Sequence, residues 1–137
     1  MRRSPSLAVD IIIFFNKKLV LIKREKEPFK DSFAIPGGFV EYGETVENAA
    51  LREAKEETGL EIKELTLFGV YSEPNRDPRG HTISIVFHGE GKGTPKAGDD
   101  AKELFLFDLG EIPDNLAFDH NKILQDFLEK YRRDKYY

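Results

Sequence analysis

Apolar and polar positions alternate between two periods along this chain. Residues 7–15 are almost all apolar and rich in β-branched and aromatic side chains, the pattern of a buried strand. Asn16, Lys17 and Lys18 break the run as a tight turn, and residues 19–23 return as a second strand, so the two predict a hairpin. A polar loop over residues 26–31 contains Pro28; residues 33–35 read as a short strand ending in a sharp turn at Pro36, Gly37 and Gly38. The period then changes. Residues 46–58 predict a helix, with Thr45 placed as N-cap and Gly59 as the residue that stops it. Ala49, Ala50 and Ala54 are small enough to let that helix sit close to a sheet.

Strand character resumes over residues 62–71, and a loop with two prolines follows over residues 72–80. Residues 81–88 predict a strand with Ile83, Ile85 and Phe87 on one face. Residues 89–100 read as a Gly-rich polar loop and residues 103–109 as the last strand. Residues 118–131 predict an amphipathic helix, with Ile123, Leu124, Phe127, Leu128 and Tyr131 at helical spacing. Mixed strands and helices with a hairpin among them give an α/β layered domain whose sheet is mixed.

Composition narrows this picture. The 137 residues carry no internal repeat and no linker, so 1–137 reads as one domain. A net charge of −4 weighs against nucleic-acid or membrane-surface partners. With no cysteine there is no disulfide, thiolate metal site or cysteine nucleophile. The apolar run at residues 7–15 contains Asp10, is too short to span a bilayer and precedes no cleavage site, so a cytoplasmic protein is expected.

The candidate chemistry lies on the first helix. Glu53, Glu56 and Glu57 fall at i, i+3 and i+4, on one face, where like charges repel. Carboxylate oxygens are hard ligands that suit Mg²⁺, Mn²⁺ or Ca²⁺, and Mg²⁺ commonly shares its remaining positions with substrate phosphates. The Gly37–Gly38 turn lets backbone approach the same point and offer a carbonyl. The Arg52 fork can bind Glu44 and fix the loop against the helix. By charge alone, a solvated helix face would account for these glutamates equally well.

Spacing goes further than charge. Gly38, five residues, Glu44, seven residues, then Arg52, Glu53, Ala54, Glu56, Glu57, Gly59 and Leu60 resemble the signature box of the Nudix hydrolases. Ala54, smaller than the usual aliphatic residue, is the one departure. The resemblance implies a Nudix-type α/β/α sandwich and metal-dependent hydrolysis of a nucleoside diphosphate derivative by attack of water at phosphorus. It further implies Glu53 and Glu57 as the strongest metal ligands, Glu56 as a third and the Gly37 carbonyl as an addition. Mg²⁺ is the expected ion, with Mn²⁺ as an alternative. Gly38, Glu44, Arg52 and Gly59 then support the box. The general base in such enzymes is a box glutamate or an acid from a later loop; here the later candidates are Asp99, Asp100 and Glu103, and Glu103 stands where many relatives carry a catalytic glutamate.

Substrate choice must come from outside the box. Arg76, Asp77, Arg79 and His81, in a loop stiffened by Pro74 and Pro78, resemble small ADP-ribose pyrophosphatases, as do Phe118 and His120 near the C-terminus. This implies a small-molecule nucleotide substrate, ADP-ribose, cleaved to AMP and ribose 5-phosphate, with those loop residues and Phe118 binding it. Another nucleotide substrate, or a module that senses ADP-ribose without cleaving it, are the alternatives. Relatives of this branch are often homodimers, so a homodimer is a further expectation.

Overall fold

A computed structural model of the chain describes residues 3–98 and 101–131. Strands β1 (Ser6–Phe15) and β2 (Lys18–Arg24) form the expected hairpin. Its turn residues Asn16 and Lys17 both take positive φ, 51° and 63°, the backbone that a two-residue hairpin turn requires. β1 also runs parallel to β6 (Thr82–Lys92), which pairs antiparallel with β5 (Glu61–Tyr71). On the other side, β2 pairs antiparallel with β3 (Phe33–Ala34) and β7 (Ala101–Phe107). The sheet is mixed, as the sequence predicts.

Helices α1 (Val46–Thr58) and α2 (His120–Lys130) cover the two faces of this sheet. Val9, Ile11 and Ile13 of β1 pack with Ala49, Ala50 and Ala54 of α1. Ile12 and Phe14 pack with Ile123, Leu124 and Phe127 of α2. Alternate residues of β1 therefore enter different cores, which is why its sequence is continuously apolar rather than alternating. β6 follows the same logic. The sequence placed Ile83, Ile85 and Phe87 on one face; Thr82, Ser84, Val86 and His88 on the opposite face are buried, while Ile83 and Ile85 are only half-buried.

Several boundaries differ from the sequence reading. Residues 36–38 do not simply turn: Gly37–Phe39 form a short strand, β4, paired with β1 through Asp10 and Val9. A Cβ at Gly37 would collide with the Val9 carbonyl and the Asp10 carboxylate, so glycine here serves close approach of two strands. β6 runs on to Lys92, where a loop was expected from residue 89, because Gly89 and Gly91 fit under Ile62 and Leu60. Helix α2 begins at His120 rather than 118. Phe118 has φ 52°, a left-handed backbone that no helical residue can adopt.

Helix α1 is capped at both ends. The Thr45 side chain accepts from the Asn48 N–H, and Gly59, at φ 75°, returns its N–H to the Lys55 carbonyl. Among the described residues, no helix is long and apolar enough to cross a membrane.

Candidate active site

The turn preceding α1 is locked to the helix by one arginine. Arg52 Nε donates to Glu44 Oε2 at 2.7 Å and Nη2 to Glu44 Oε1 at 2.9 Å. Nη2 also reaches the Phe39 carbonyl at 3.1 Å, and the Glu41 N–H donates to Glu44 at 3.0 Å. The Arg52 hydrogen bonds, then the Glu41 N–H, hold the Glu44 carboxyl down at about 2. Glu44 in turn holds the Arg52 guanidinium above its ordinary value.

Arg52 also turns Nη1 to the acidic face, 3.1 Å from Glu56 Oε1 and 3.3 Å from Glu53 Oε2. The Glu53 carboxylate lies directly against the backbone of Gly38, in space that a Cβ would occupy. Glu53, Glu56 and Glu57 line one cavity of about 500 Å³, whose far wall is the strap at Lys96 and Gly98. That strap is bonded to the helix end: Lys96 N–H to the Thr58 carbonyl at 2.7 Å and Gly98 N–H to the Glu57 carbonyl at 3.1 Å.

Among the described residues, no three acidic or histidine groups already stand at metal-ligand spacing. The donor set nonetheless fits a hard divalent ion: it is all carboxylate and carbonyl oxygen, and Gly38 keeps backbone within reach of Glu53. Glu53, Glu56, Glu57 and the Gly37 carbonyl are the residues that would hold it.

Glu57 and Gly37 also border a second, narrower cleft of about 130 Å³, lined by Arg24, Arg76, Asp77, Arg79 and Phe118. Four residues expected at the substrate, Arg76, Asp77, Arg79 and Phe118, thus meet next to the acidic helix. Their roles differ. The Arg76 side chain is buried and spends its fork on Asp119, at 2.9 and 2.6 Å, with a third contact to the Thr82 carbonyl. Burial works against its charge, but Asp119 outweighs it and raises its pKa. Asp77 is buried beneath Arg79 and bonded to it at 3.1 and 2.8 Å. Burial opposes the Asp77 charge, and the Arg79 bonds overcome it to hold the carboxyl below its usual range.

His81 lies outside this cleft. It is exposed, 3.0 Å from the Ser72 carbonyl, and lines an adjoining groove of about 570 Å³ with Arg3, Phe39 and Arg79. Glu103 is not brought to the acidic face: it sits opposite Lys23 in the β2–β7 ladder, and ladder partners share a face. Lys23 turns to the Phe33 ring, whereas its neighbours Ile22 and Arg24 face the cleft. Asp99 and Asp100 lie outside the described residues.

Residues 4–127 match the NUDIX domain family. The chain belongs to the Nudix family. It is 60% identical over 125 residues to the ADP-ribose pyrophosphatase of Methanocaldococcus jannaschii, a match covering 90% of this chain and 73% of that protein. It is 29% identical to the ADPR responsive transcriptional repressor NtrR of Acinetobacter baylyi, covering 89% of this chain and 52% of the repressor. Among solved structures, a bifunctional NMN adenylyltransferase/ADP ribose pyrophosphatase from Francisella tularensis, complexed with AMP and a Mn ion, superposes with TM-score 0.84 at 31% identity. That match covers 94% of this chain and 42% of the bifunctional one, so the chain spans only about half the length of some of its relatives.

In this Nudix hydrolase two cleft residues escaped the sequence reading. Asp10 is a carboxylate inside an apolar strand; it accepts from the Ser84 hydroxyl and lies 3.6 Å from His120 Nε2. An acidic residue in a run that must be buried on both faces was the available signal. Arg24 ends β2 and gave no such signal, because a cation at a strand end is ordinary. His120 accepts the Ile35 N–H at Nδ1, 3.0 Å away, which places its own proton on Nε2, toward Asp10.

Proposed function

We propose that this Nudix hydrolase cleaves ADP-ribose with water to AMP and ribose 5-phosphate, using Mg²⁺, with Mn²⁺ as a substitute. The 60% identity to an ADP-ribose pyrophosphatase carries the reading. The cleft supports it, since Glu57 of the box and the adjoining Gly37 border the space that Arg24, Arg79 and Phe118 also line.

The reaction breaks one bridging P–O bond of the diphosphate; a water oxygen bonds to one phosphorus and the bridging oxygen leaves with the other. A bound divalent ion supplies Lewis-acid polarisation of a phosphoryl oxygen and acidifies water. The protein's part is to hold and orient. Glu53, Glu56 and Glu57 supply the anionic face, Glu44 and Arg52 fix it to the Gly37–Gly38 strand, and a box carboxylate accepts the proton of the attacking water. Nucleotide chemistry and the absence of cysteine fit a cytoplasmic site of action, and the family resemblance supports a homodimer, checked by the mass of the protein in solution.

A substrate panel with Mg²⁺ or Mn²⁺ and product identification tests the reading. ADP-ribose should be turned over fastest, with AMP and ribose 5-phosphate as products. Faster turnover of a nucleoside triphosphate, or ADP-ribose binding without AMP release, overturns it.

A further inference from the structure

Two of the three acidic side chains on α1, Glu56 and Glu57, stand in its last turn, where a helix is least secure. The last four carbonyls of a helix find no partner inside it, and in α1 they belong to residues 55–58. Gly59 closes one of them by donating its N–H to the Lys55 carbonyl. Two more are closed from outside the helix, by the strap between β6 and β7. The Lys96 N–H donates to the Thr58 carbonyl at 2.7 Å and the Gly98 N–H to the Glu57 carbonyl at 3.1 Å. The strap therefore completes the end of the helix that carries the acidic face.

Its approach is close. A Cβ on Gly98 would fall 1.7 Å from the Glu56 carbonyl oxygen, 2.8 Å from the carbon of that carbonyl and 3.2 Å from Glu57 Cα. All three are backbone atoms of two acidic residues, so no change of rotamer relieves the contact. A Cβ on Gly59, the helix cap, would lie 3.0 Å from the Thr94 carbonyl oxygen. Gly59 has a second reason to be glycine, its φ of 75°. Gly98 takes no positive φ, so closeness alone calls for glycine there.

The strap also reaches the cleft wall. Ala97, between the two donors, packs on the cluster of Ile22, Ala34 and Ala117 together with Phe118. Ile22, Ala34 and Phe118 line the narrow cleft, while Lys96, Ala97 and Gly98 line the cavity of Glu53, Glu56 and Glu57. One short segment is thus seated on the helix end through residues 96 and 98 and on the cleft wall through residue 97.

We propose that Gly98 is a positioning residue for the metal-holding face: by letting the strap lie flat on the last turn of α1, it keeps Glu56 and Glu57 in register with Glu53 and with the cleft. This rests on the reading of the acidic face as the ion site and makes a separate claim about what keeps that face in place. Docking of the strap and binding of an ion favour the same helix end, so each strengthens the other by the same factor. A substitution that lifts the strap costs ion affinity, and an ion on the face holds the strap down.

The test titrates wild type, Gly98→Ala and Glu57→Gln with Mn²⁺ in the absence of substrate, reading free Mn²⁺ by electron paramagnetic resonance. Gly98→Ala should weaken Mn²⁺ binding by about 10–100-fold, the usual cost of losing a group that orients metal ligands. A merely structural role for Gly98 would lower the melting temperature and leave Mn²⁺ affinity unchanged. Equal affinity in Gly98→Ala and wild type, with Glu57→Gln weakened, overturns the role of Gly98 and leaves the ion site standing. Absence of Mn²⁺ binding by the wild type overturns both. Amide exchange in the wild type needs no variant, and so decides the matter even where Gly98→Ala fails to fold. Mg²⁺ should slow exchange at the Lys96 and Gly98 N–H groups, and exchange there that Mg²⁺ leaves unmoved overturns the proposal.

Discussion

Arg52 and Glu44 are joined by two hydrogen bonds, Nε to Oε2 at 2.7 Å and Nη2 to Oε1 at 2.9 Å. The planar fork that makes both bonds also touches the Phe39 carbonyl, so one side chain ties the end of β4 to the middle of α1. Arg52→Lys keeps the charge and loses the fork. Such supporting partners of metal ligands typically cost about 10–100-fold when changed, and that loss is expected in kcat/KM for ADP-ribose with little change in secondary structure. The brace has an acid limit. Because Glu44 is held at about 2 against an ordinary value of 4.5, its contribution is complete above pH 4.5 and fades as pH falls toward 2. Thermal melts of wild type and Glu44→Gln should therefore converge across that range.

Glu57 separates a metal site from a merely charged helix face. It borders both the acidic cavity and the narrow cleft, so its carboxylate is the one best placed between ion and substrate. Removing a ligand to a Lewis acid that contributes ~3 kcal/mol to the transition state lowers the rate roughly a hundredfold. Glu57→Gln should show that loss in AMP release while melting near the wild-type temperature without added metal. Addition of Mg²⁺ should stabilise the wild type more than the variant. Unchanged turnover in Glu57→Gln would remove the box from the mechanism.

The ladder register argues against Glu103 as the base. Its partner Lys23 lies over the Phe33 ring, away from the acidic cavity, and the ladder shifts register at the next residue, Arg24. Glu103→Gln is expected to keep kcat within about twofold of wild type, since surface changes away from the site act weakly on the fold. A pH–rate profile that loses its acid limb in this variant would restore Glu103 as the base.

The sequence carried α1 to the residue because its ends are chemical: Thr45 and Gly59 cap it through bonds local in sequence. The box was legible for the same reason, as its spacing is a helix repeat. What escaped reading depends on contacts between distant segments. Gly37 looks like a turn until β1 lies beside it. Arg76 and Arg79 look equivalent until Asp119 takes one and Asp77 the other. Arg24 and Phe118, far apart in the chain, meet in the cleft, 5.0 Å from guanidinium carbon to ring centre, only once the chain is folded.

His120 gives the fold a pH dependence of its own. Burial lowers its pKa from 6.5, outweighing the pull of Asp10 and Asp119. The Ile35 N–H points at Nδ1, so a second ring proton would also break that bond. Below pH 6.5 the unfolded chain takes up a proton that the folded chain refuses, so stability is complete above that pH and is lost as pH falls below it. The slope for one proton cannot exceed about 1.4 kcal/mol per pH unit. Urea melts at pH 7.5 and 5.5 should show a larger drop for wild type than for His120→Asn; equal drops would assign the acid loss to other groups.

Gly38 provides the sharpest test of whether backbone approach matters to the acidic site. Its φ is not in the left-handed region, so alanine would be tolerated conformationally, but the new Cβ would fall on the Glu53 carboxylate. That carboxylate is well covered, with its side chain 14% exposed, and Arg52 already occupies its outer side at 3.3 Å. Displaced by that Cβ, it would swing away from the strand into the adjoining cavity and lose its position against the Gly38 backbone. Gly38→Ala should therefore raise the metal concentration needed for half-maximal activity by roughly 10–100-fold, the range seen when metal ligands are reoriented. Gly110→Ala is the matched control: nothing lies within 4 Å of its added Cβ, and it should stay within about 0.5 kcal/mol of wild type with an unchanged metal requirement. A Gly38→Ala protein with the wild-type metal requirement would show that Glu53 does not need its position against the backbone, and would move the metal-holding role to Glu56 and Glu57.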